Sequence, residues 1–268
     1  MCPVNNGMKR KRTIMQFETV KKIVEDNPQV RTYGLNDWGE PLLHPDIVEI
    51  VRFLKSKGKQ VYFATNAVLL NPEMSEALVK AGLDRIFFSV DGVGTSYEKI
   101  RGVPYELIKK NILGFISEAG LNTQINVVCV VSKDNEANAL EVKREWQRYA
   151  QVYYQPQLLF VPDTRKQKCA ELYGNHLVVL SDGTVVPCCA DYEGELRLGN
   201  VNEHTLNEIE NGPALAKLRK DSTGSFCGKC SEYHSDRVKP RFKTMTMLRS
   251  IMSAVYLKVT EDVEWIRT

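Results

Sequence analysis

The sequence predicts an α/β fold, a parallel sheet built from repeated βα units, followed by a small cysteine-rich α+β domain. Three observations predict it. From Met15 to Phe160 the apolar residues alternate between helical and strand periods. Each helix–strand pair occupies about thirty residues, the length of a unit that returns a parallel strand to the same sheet. Beyond Pro162 the period changes, and five of the seven cysteines fall in the last hundred residues.

The elements follow in order. FETVKKIVEDN (residues 17–27) is amphipathic at helical spacing, and VRTYGL (30–35) is a short strand ending in glycine. DIVEIVRFLKSKG (46–58) is a helix stopped by glycine, and QVYFATN (60–66) is the strand after it. PEMSEALVKAGL (72–83) opens on proline at a helix start and closes on Gly82 as a C-terminal cap. RIFFSVDG (85–92) is a strand, YELIKKNILGFISEAG (105–120) a helix and TQINVVCVVS (123–132) a strand. NALEVKREWQRYA (138–150) and VYYQPQLLFV (152–161) complete the series. No strand precedes the first helix, so the sheet is expected to lack its opening strand.

Past Pro162, HLVVLSDGTVVPCC (176–189) reads as a hairpin turning at Asp182-Gly183. LGNVNEHTLNEIENGPALAKLRK (198–220) gives a loop and a helix, and SFCGKCSEYH (225–234) a tight knuckle. MLRSIMSAVYLKV (247–259) reads as an amphipathic terminal helix. The expected domains are residues 1–162, 163–240 and a terminal helix and tail over 241–268.

Composition narrows the function classes. With 43% apolar residues the 268-residue chain can bury a substantial core. Basic and acidic residues number 36 and 33, so no polyanionic partner is implied and no nucleic-acid role is expected. MKRKR (8–12) and RVKPRFK (237–243) read as solvated surface. No run approaches the roughly 20 apolar residues of a membrane span. No secretory signal is visible, which points to the cytoplasm and against disulfides, so metal ligation is the better reading of the cysteine cluster. Cys129 lies in an alternating apolar strand and reads as core.

In parallel α/β architectures functional residues gather at the strand ends. Here these carry WGEPLLHP (38–45), ATN (64–66) and SVDG (89–92). Each alone is an ordinary turn or helix cap; their succession on three consecutive strands is far more specific. GEPLLHPDIVEIV, FATNAVLL and FFSVDGVGTSYEKIRG resemble, in order, the motifs of the radical S-adenosylmethionine (radical SAM) enzymes, and the resemblance spans residues 1 to about 160. It implies a partial (βα) barrel. It also implies that Gly39, Glu40 and Pro41 bind the methionine amino end of S-adenosylmethionine, that Ser89 and Asp91 approach its ribose or methionyl group, that Thr65 and Asn66 line the same mouth, and that Arg101 takes the carboxylate. MCP at the start resembles the end of the family's C-x3-C-x-M-C-P motif, which makes Cys2 the third ligand of the reactive [4Fe-4S] cluster. The resemblance then implies an N-terminally truncated chain lacking the other two cysteines, inactive alone because one thiolate does not hold such a cluster.

Cys169 and Cys188 fit C-x13-G-x4-C, and Cys227 and Cys230 fit C-x2-C. Four thiolates from a hairpin and a knuckle suit a structural zinc ion as well as an iron–sulfur cluster. After a radical-SAM-like core the spacing resembles the SPASM/twitch extension, which implies one auxiliary [4Fe-4S] cluster. Cys189 is an alternative to Cys188, and His234 a reserve ligand. The expected activity of the full-length form is reductive cleavage of S-adenosylmethionine to a 5′-deoxyadenosyl radical that takes hydrogen from a peptide or small-molecule substrate, with a flavodoxin- or ferredoxin-type electron donor. The alternative is a non-catalytic iron–sulfur or zinc module on the same fold.

Overall fold

A computed structural model describes residues 3–5, 7–158, 169–174, 176–221, 226–230 and 257–258. In chain order they form α1 (Phe17–Asp26), β1 (Thr32–Gly34), α2 (Ile47–Ser56), β2 (Gln60–Thr65), α3 (Pro72–Ala81), β3 (Arg85–Ser89), α4 (Thr95–Arg101) and α5 (Tyr105–Ala119). Then come β4 (Gln124–Val131), α6 (Ala139–Trp146), β5 (Gln151–Pro156), β6 (Val178–Val179), β7 (Thr184–Val186), β8 (Gly199–Asn200), α7 (Leu206–Glu210), α8 (Pro213–Lys220) and β9 (Leu257–Lys258). They divide into two units. One holds the described residues of 33–36, 40–157 and 254–268, the other those of 1–32, 37–39 and 158–253.

The first unit is an α/β layer built on a sheet of order β1-β2-β3-β4-β5-β9. Strands β2 to β5 are parallel, in a register that aligns Thr65 with Phe88, Phe88 with Val127, and Val127 with Val152. Because side chains alternate along a strand, this row lies on one face, and its members are buried. The helices bury apolar stripes at helical spacing. Tyr105, Ile108, Ile112, Phe115 and Ala119 form the stripe of α5, and α3 packs against both α2 and α5. The termini of α3 follow the sequence reading. Asn71 Oδ1 accepts the Met74 N–H at 2.8 Å, Pro72 takes the first turn, and Gly82 closes the helix with φ 89°.

The second unit carries a three-stranded antiparallel sheet, β6-β7-β8. Its hairpin turns at Asp182-Gly183. Asp182 Oδ1 accepts the Thr184 N–H at 3.0 Å, and Gly183 has φ 86° with Asn200 and Asn202 so close that a Cβ would meet them within 3 Å. Helix α7 begins in a Thr205/Glu208 capping box. The early part of the chain is pinned here too. Glu193 accepts the N–H groups of Lys9 and Arg10 at 2.7 and 2.8 Å, and Arg10 Nε donates to the Tyr192 carbonyl at 2.8 Å.

Three features depart from the sequence reading. The single helix expected over part of 198–220 is two, broken at Gly212-Pro213, where proline supplies no N–H to continue the first and suits the start of the second. The SVDG strand ends at Ser89, and α4 follows at Thr95. The terminal helix expected over 247–259 is, at Leu257–Lys258, a strand paired antiparallel with Tyr154 and Tyr153 of β5. AVYLKV alternates as a strand does, and the open side of β5 offers hydrogen bonds that a lone helix turn cannot use. The rest of that segment lies outside the described residues. Among the described residues no helix is long and apolar enough to cross a membrane.

Candidate functional site

At the end of β2 one side chain organises two loops. Glu40 caps the short 3₁₀ turn Pro41–Leu43 by accepting the Leu42 N–H at 3.2 Å. Its Oε1 also accepts the Thr65 hydroxyl at 2.6 Å, and its Oε2 the Asn66 N–H at 2.9 Å. Thr65 Oγ1 in turn accepts the Ala67 N–H at 3.0 Å, and Asn66 Oδ1 accepts the Val68 N–H at 2.9 Å. Thr65 is buried, and its hydroxyl both donates and accepts within this network. Ala67 has φ 61° and is fully buried. A Cβ is disfavoured in that conformation, and the Asn111 amide holds the turn by donating to the Ala67 carbonyl at 2.8 Å.

At the end of β3, Ser89 is half-buried. Asp91 is 1% exposed; its Oδ1 accepts the Val130 N–H at 2.8 Å, and its Oδ2 lies 2.5 Å from Arg101 Nη2. Asn135 Nδ2 donates to the Asp91 carbonyl at 2.8 Å. The structure therefore joins Asp91 and Arg101, ten positions apart in sequence, into an ion pair, with Asp91 orienting the guanidinium. Beside this ion pair, Arg101 Nε and the Tyr97 hydroxyl remain buried without hydrogen-bond partners among the described residues. Buried polar atoms left so are costly, and two beside one charge pair offer hydrogen bonds to a polar ligand group. Gly92 sits where a Cβ would come within 2.9 Å of Tyr97 N and Ser96 Oγ, so α4 packs directly over the backbone.

Gly39 and its two predecessors belong to the other unit. A Cβ on Gly39 would meet nothing within 4 Å. The Trp38 indole N–H donates to the Cys189 carbonyl, and its ring stands edge-on to Tyr192 at 5.5 Å. Asp37 Oδ2 is buried without a hydrogen-bond partner among the described residues. Burial pushes the Asp37 carboxyl up to about 7; the Arg10 charge opposes this and Asp191 adds to it.

The cysteines of the second unit converge. Cys169, Cys227 and Cys230 are buried in one apolar cluster with Leu172 and Ala190, and Cys188 packs against it. Cys227 opens a 3₁₀ turn whose end is closed by the Cys230 N–H on the Cys227 carbonyl, which makes the knuckle. Burial pushes the Cys169 and Cys227 thiols up to about 11 and raises Cys188 as well. Backbone N–H groups of Glu171 and Leu172 bond to Cys169, and those of Ala190 and Asp191 to Cys188, which favours their thiolates. Four thiols in an apolar shell, two of them with N–H donors on sulfur, fit the chemistry of an iron–sulfur centre, whose potential such bonds tune. Among the described residues no group of three or more His, Cys, Asp or Glu side chains is arranged to hold a metal ion. Cys189 is exposed, Cys129 is fully buried beside Asn135, and Cys2 and His234 lie outside the described residues.

Sequence reasoning missed Tyr97, Asn111, Asn135 and Trp38. Trp38 and Tyr97 stand within quoted motifs, and their rings are the signal; Asn111 and Asn135 reach the site only through long-range hydrogen bonds.

Two family models match the chain. The radical SAM superfamily model covers residues 1–142, and a SPASM model, described as an iron-sulfur cluster-binding domain, covers residues 169–231. Over 140 residues the chain is 31% identical to a tungsten-containing aldehyde ferredoxin oxidoreductase cofactor-modifying protein of Pyrococcus furiosus, covering 48% of this chain and 39% of that protein. Over 100 residues it is 38% identical to an AdoMet-dependent heme synthase of Methanosarcina barkeri, covering 36% and 28%. The match thus spans less than two-fifths of these relatives' length. The crystal structure of BtrN in complex with AdoMet and 2-DOIA shares the fold, with a TM-score of 0.57 at 18% identity over 85% of each chain.

Proposed function

Since this chain belongs to the radical SAM superfamily and carries a SPASM-type segment, we propose that it binds S-adenosylmethionine at the ends of β2 and β3 and an auxiliary [4Fe-4S] cluster at Cys169, Cys188, Cys227 and Cys230. The observation that carries the reading is the pair of polar networks, Glu40 with Thr65 and Asn66, and Asp91 with Arg101, at the ends of neighbouring parallel strands. When bound, the reactive [4Fe-4S] cluster and S-adenosylmethionine supply a one-electron cleavage to a 5′-deoxyadenosyl radical that takes hydrogen from substrate. The residues of this chain bind and orient. Glu40, fixed by three donors, presents its remaining lone pairs to the methionyl ammonium, with Gly39 and Pro41 shaping the loop. Arg101, oriented by Asp91, takes the carboxylate, and Ser89 offers a hydroxyl to the ribose or methionyl end. Asn66 lines the mouth, and Cys2 is a cluster ligand.

On this reading residues 1–162 form the cofactor domain, 163–240 the auxiliary-cluster domain and 241–268 the terminal segment. The substrate is a small organic molecule or a peptide, and a flavodoxin- or ferredoxin-type protein donates the electron. The test is iron, sulfide and zinc content per chain on protein purified without oxygen, together with calorimetric binding of S-adenosylmethionine. About four irons and four sulfides mean the auxiliary site alone is filled, and about eight mean both sites are. One zinc without sulfide overturns the iron–sulfur assignment. With the reactive cluster present, Glu40→Gln and Arg101→Ala should each weaken binding; unchanged affinity in both would remove the strand-end site.

A further inference from the structure

Four aromatic side chains form a file through the first unit that starts beside the Asp91–Arg101 pair and runs away from it. Tyr97 on α4 is fully buried and senses both Arg101 and Asp91. Its ring lies 5.5 Å from that of Tyr105 at the start of α5. The Tyr105 oxygen accepts the indole N–H of Trp146, the last residue of α6, at 3.1 Å, and its hydroxyl is hydrogen-bonded to Glu145. Glu145 is itself paired with Lys109 at 2.6 Å. Trp146 stands 6.2 Å from Tyr149. Tyr105 and Trp146 are 2% and 1% exposed, whereas Tyr149 is 37% exposed.

Core packing accounts for buried rings in contact. It does not account for a carboxylate bonded to the phenol in the middle of the file, or for an outer end that reaches solvent. A phenol loses an electron readily only when its proton has somewhere to go, and a hydroxyl already bonded to a carboxylate has that acceptor in place. The indole beside it and the exposed phenol beyond supply further oxidisable rings at short spacing.

We propose that Tyr97, Tyr105, Trp146 and Tyr149 form a path that carries an oxidising equivalent from the Asp91–Arg101 end of the site to the protein surface. The idea rests on the function proposed above, which supplies the oxidant, a carbon-centred radical that has failed to meet substrate. That radical takes the hydrogen atom of the Tyr97 hydroxyl, so that a C–H bond forms, an O–H bond breaks and a phenoxyl remains. Tyr105 gives Tyr97 an electron as its own proton passes to Glu145. Tyr97 is left as a phenolate near the Arg101 guanidinium until a proton returns from solvent. An electron from Tyr149, relayed by Trp146, and the proton held on Glu145 restore Tyr105. Tyr149 loses its proton to solvent, and a solution thiol reduces its phenoxyl by giving up a hydrogen atom. In sum the stray radical becomes a closed-shell C–H compound and the thiol becomes a thiyl radical.

The test needs neither cluster nor S-adenosylmethionine. Flash photolysis of ruthenium tris-bipyridine with persulfate oxidises exposed tyrosines of the isolated protein. Freeze-quenched electron paramagnetic resonance should then show a phenoxyl at Tyr105, identified by its loss in Tyr105→Phe. That signal should also be lost in Tyr149→Phe, a surface change that leaves packing intact, and in Trp146→Phe, but persist in Tyr97→Phe. Absence of a Tyr105 signal in the unaltered protein, or its survival undiminished in Tyr149→Phe, overturns the path. The two readings fail separately: cofactor binding without the Tyr105 radical removes the path, and the radical without cofactor binding removes the oxidant proposed to feed it.

Discussion

The two candidate centres are built on opposite plans. The strand-end networks hold their own charges in the protein alone: each Glu40 oxygen has a donor, Thr65 is satisfied in both roles, and Asp91 has Arg101, while Arg101 Nε and the Tyr97 hydroxyl are left over. The four cysteines are gathered but not finished, and burial raises the thiol pKa values of Cys169, Cys188 and Cys227. The first centre is preorganised and stays in place whether or not a ligand arrives. On the proposed reading the second reaches its final geometry by exchanging protons for metal, so its folding and its loading are linked.

The largest break in that contrast is expected from Cys227→Ser. It should abolish auxiliary iron and sulfide and lower the stability of the cysteine-rich unit, while the β1–β5 sheet keeps its protection in hydrogen exchange. Equal loss of protection in both units would show that the centres are not independent.

Gly92→Ala attacks the preorganised side. A methyl within 2.9 Å of the Tyr97 backbone must push α4 away, at a cost of about 1–3 kcal/mol in chemical denaturation. It should also loosen Arg101, and with it S-adenosylmethionine affinity. A variant of unchanged stability would mean that α4 is not tightly seated.

Asp37 sharpens the comparison through pH. Its carboxyl is raised from 3.8 to about 7 on folding. A group raised in the folded state contributes stability that is full below its unfolded pKa and is lost as pH rises through the folded value. Stability of the second unit should therefore fall by about 1 kcal/mol between roughly pH 6 and pH 8, and Asp37→Asn should flatten that slope. A slope unaltered by the substitution would place the titration elsewhere.

The smallest effect is expected at Ala67. Glycine removes the strain of φ 61° but adds backbone entropy to the unfolded chain and leaves a small void. Ala67→Gly should be within about 0.5 kcal/mol of neutral on the stabilising side, whereas the β-branched Ala67→Val should destabilise by more than 1 kcal/mol or so. Denaturant midpoints decide it.

Much of this was legible because it is local. Gly39-Glu40-Pro41, Thr65-Asn66 and Ser89-Val90-Asp91 are read at strand ends whose periods are clear, and Cys227-Gly228-Lys229-Cys230 is a knuckle by spacing alone. What stayed hidden depends on distance along the chain. Nothing in the residues around Glu40 announces that its acid will tie down a threonine 25 positions later, or that Asp91 will be occupied by Arg101. Ala67 was invisible for a different reason, since glycine or asparagine, and not alanine, is the residue from which a left-handed turn is inferred. The split at Gly212-Pro213 could have been read, because proline after glycine is a boundary signal as strong as those used elsewhere.

Strand β9 also has a bearing on how the protein is made. Its partner β5 ends at Pro156, and β9 begins at Leu257, roughly a hundred residues later. At about 5–20 residues per second of synthesis, β5 emerges about 5–20 s before the strand that covers it. Through that interval a growing chain presents the bare flank of Tyr153 and Tyr154 to its neighbours on the same message. Yield in a cell should then depend on translation speed across residues 157–256, and codon choice in that stretch becomes a handle on folding that leaves every side chain unchanged.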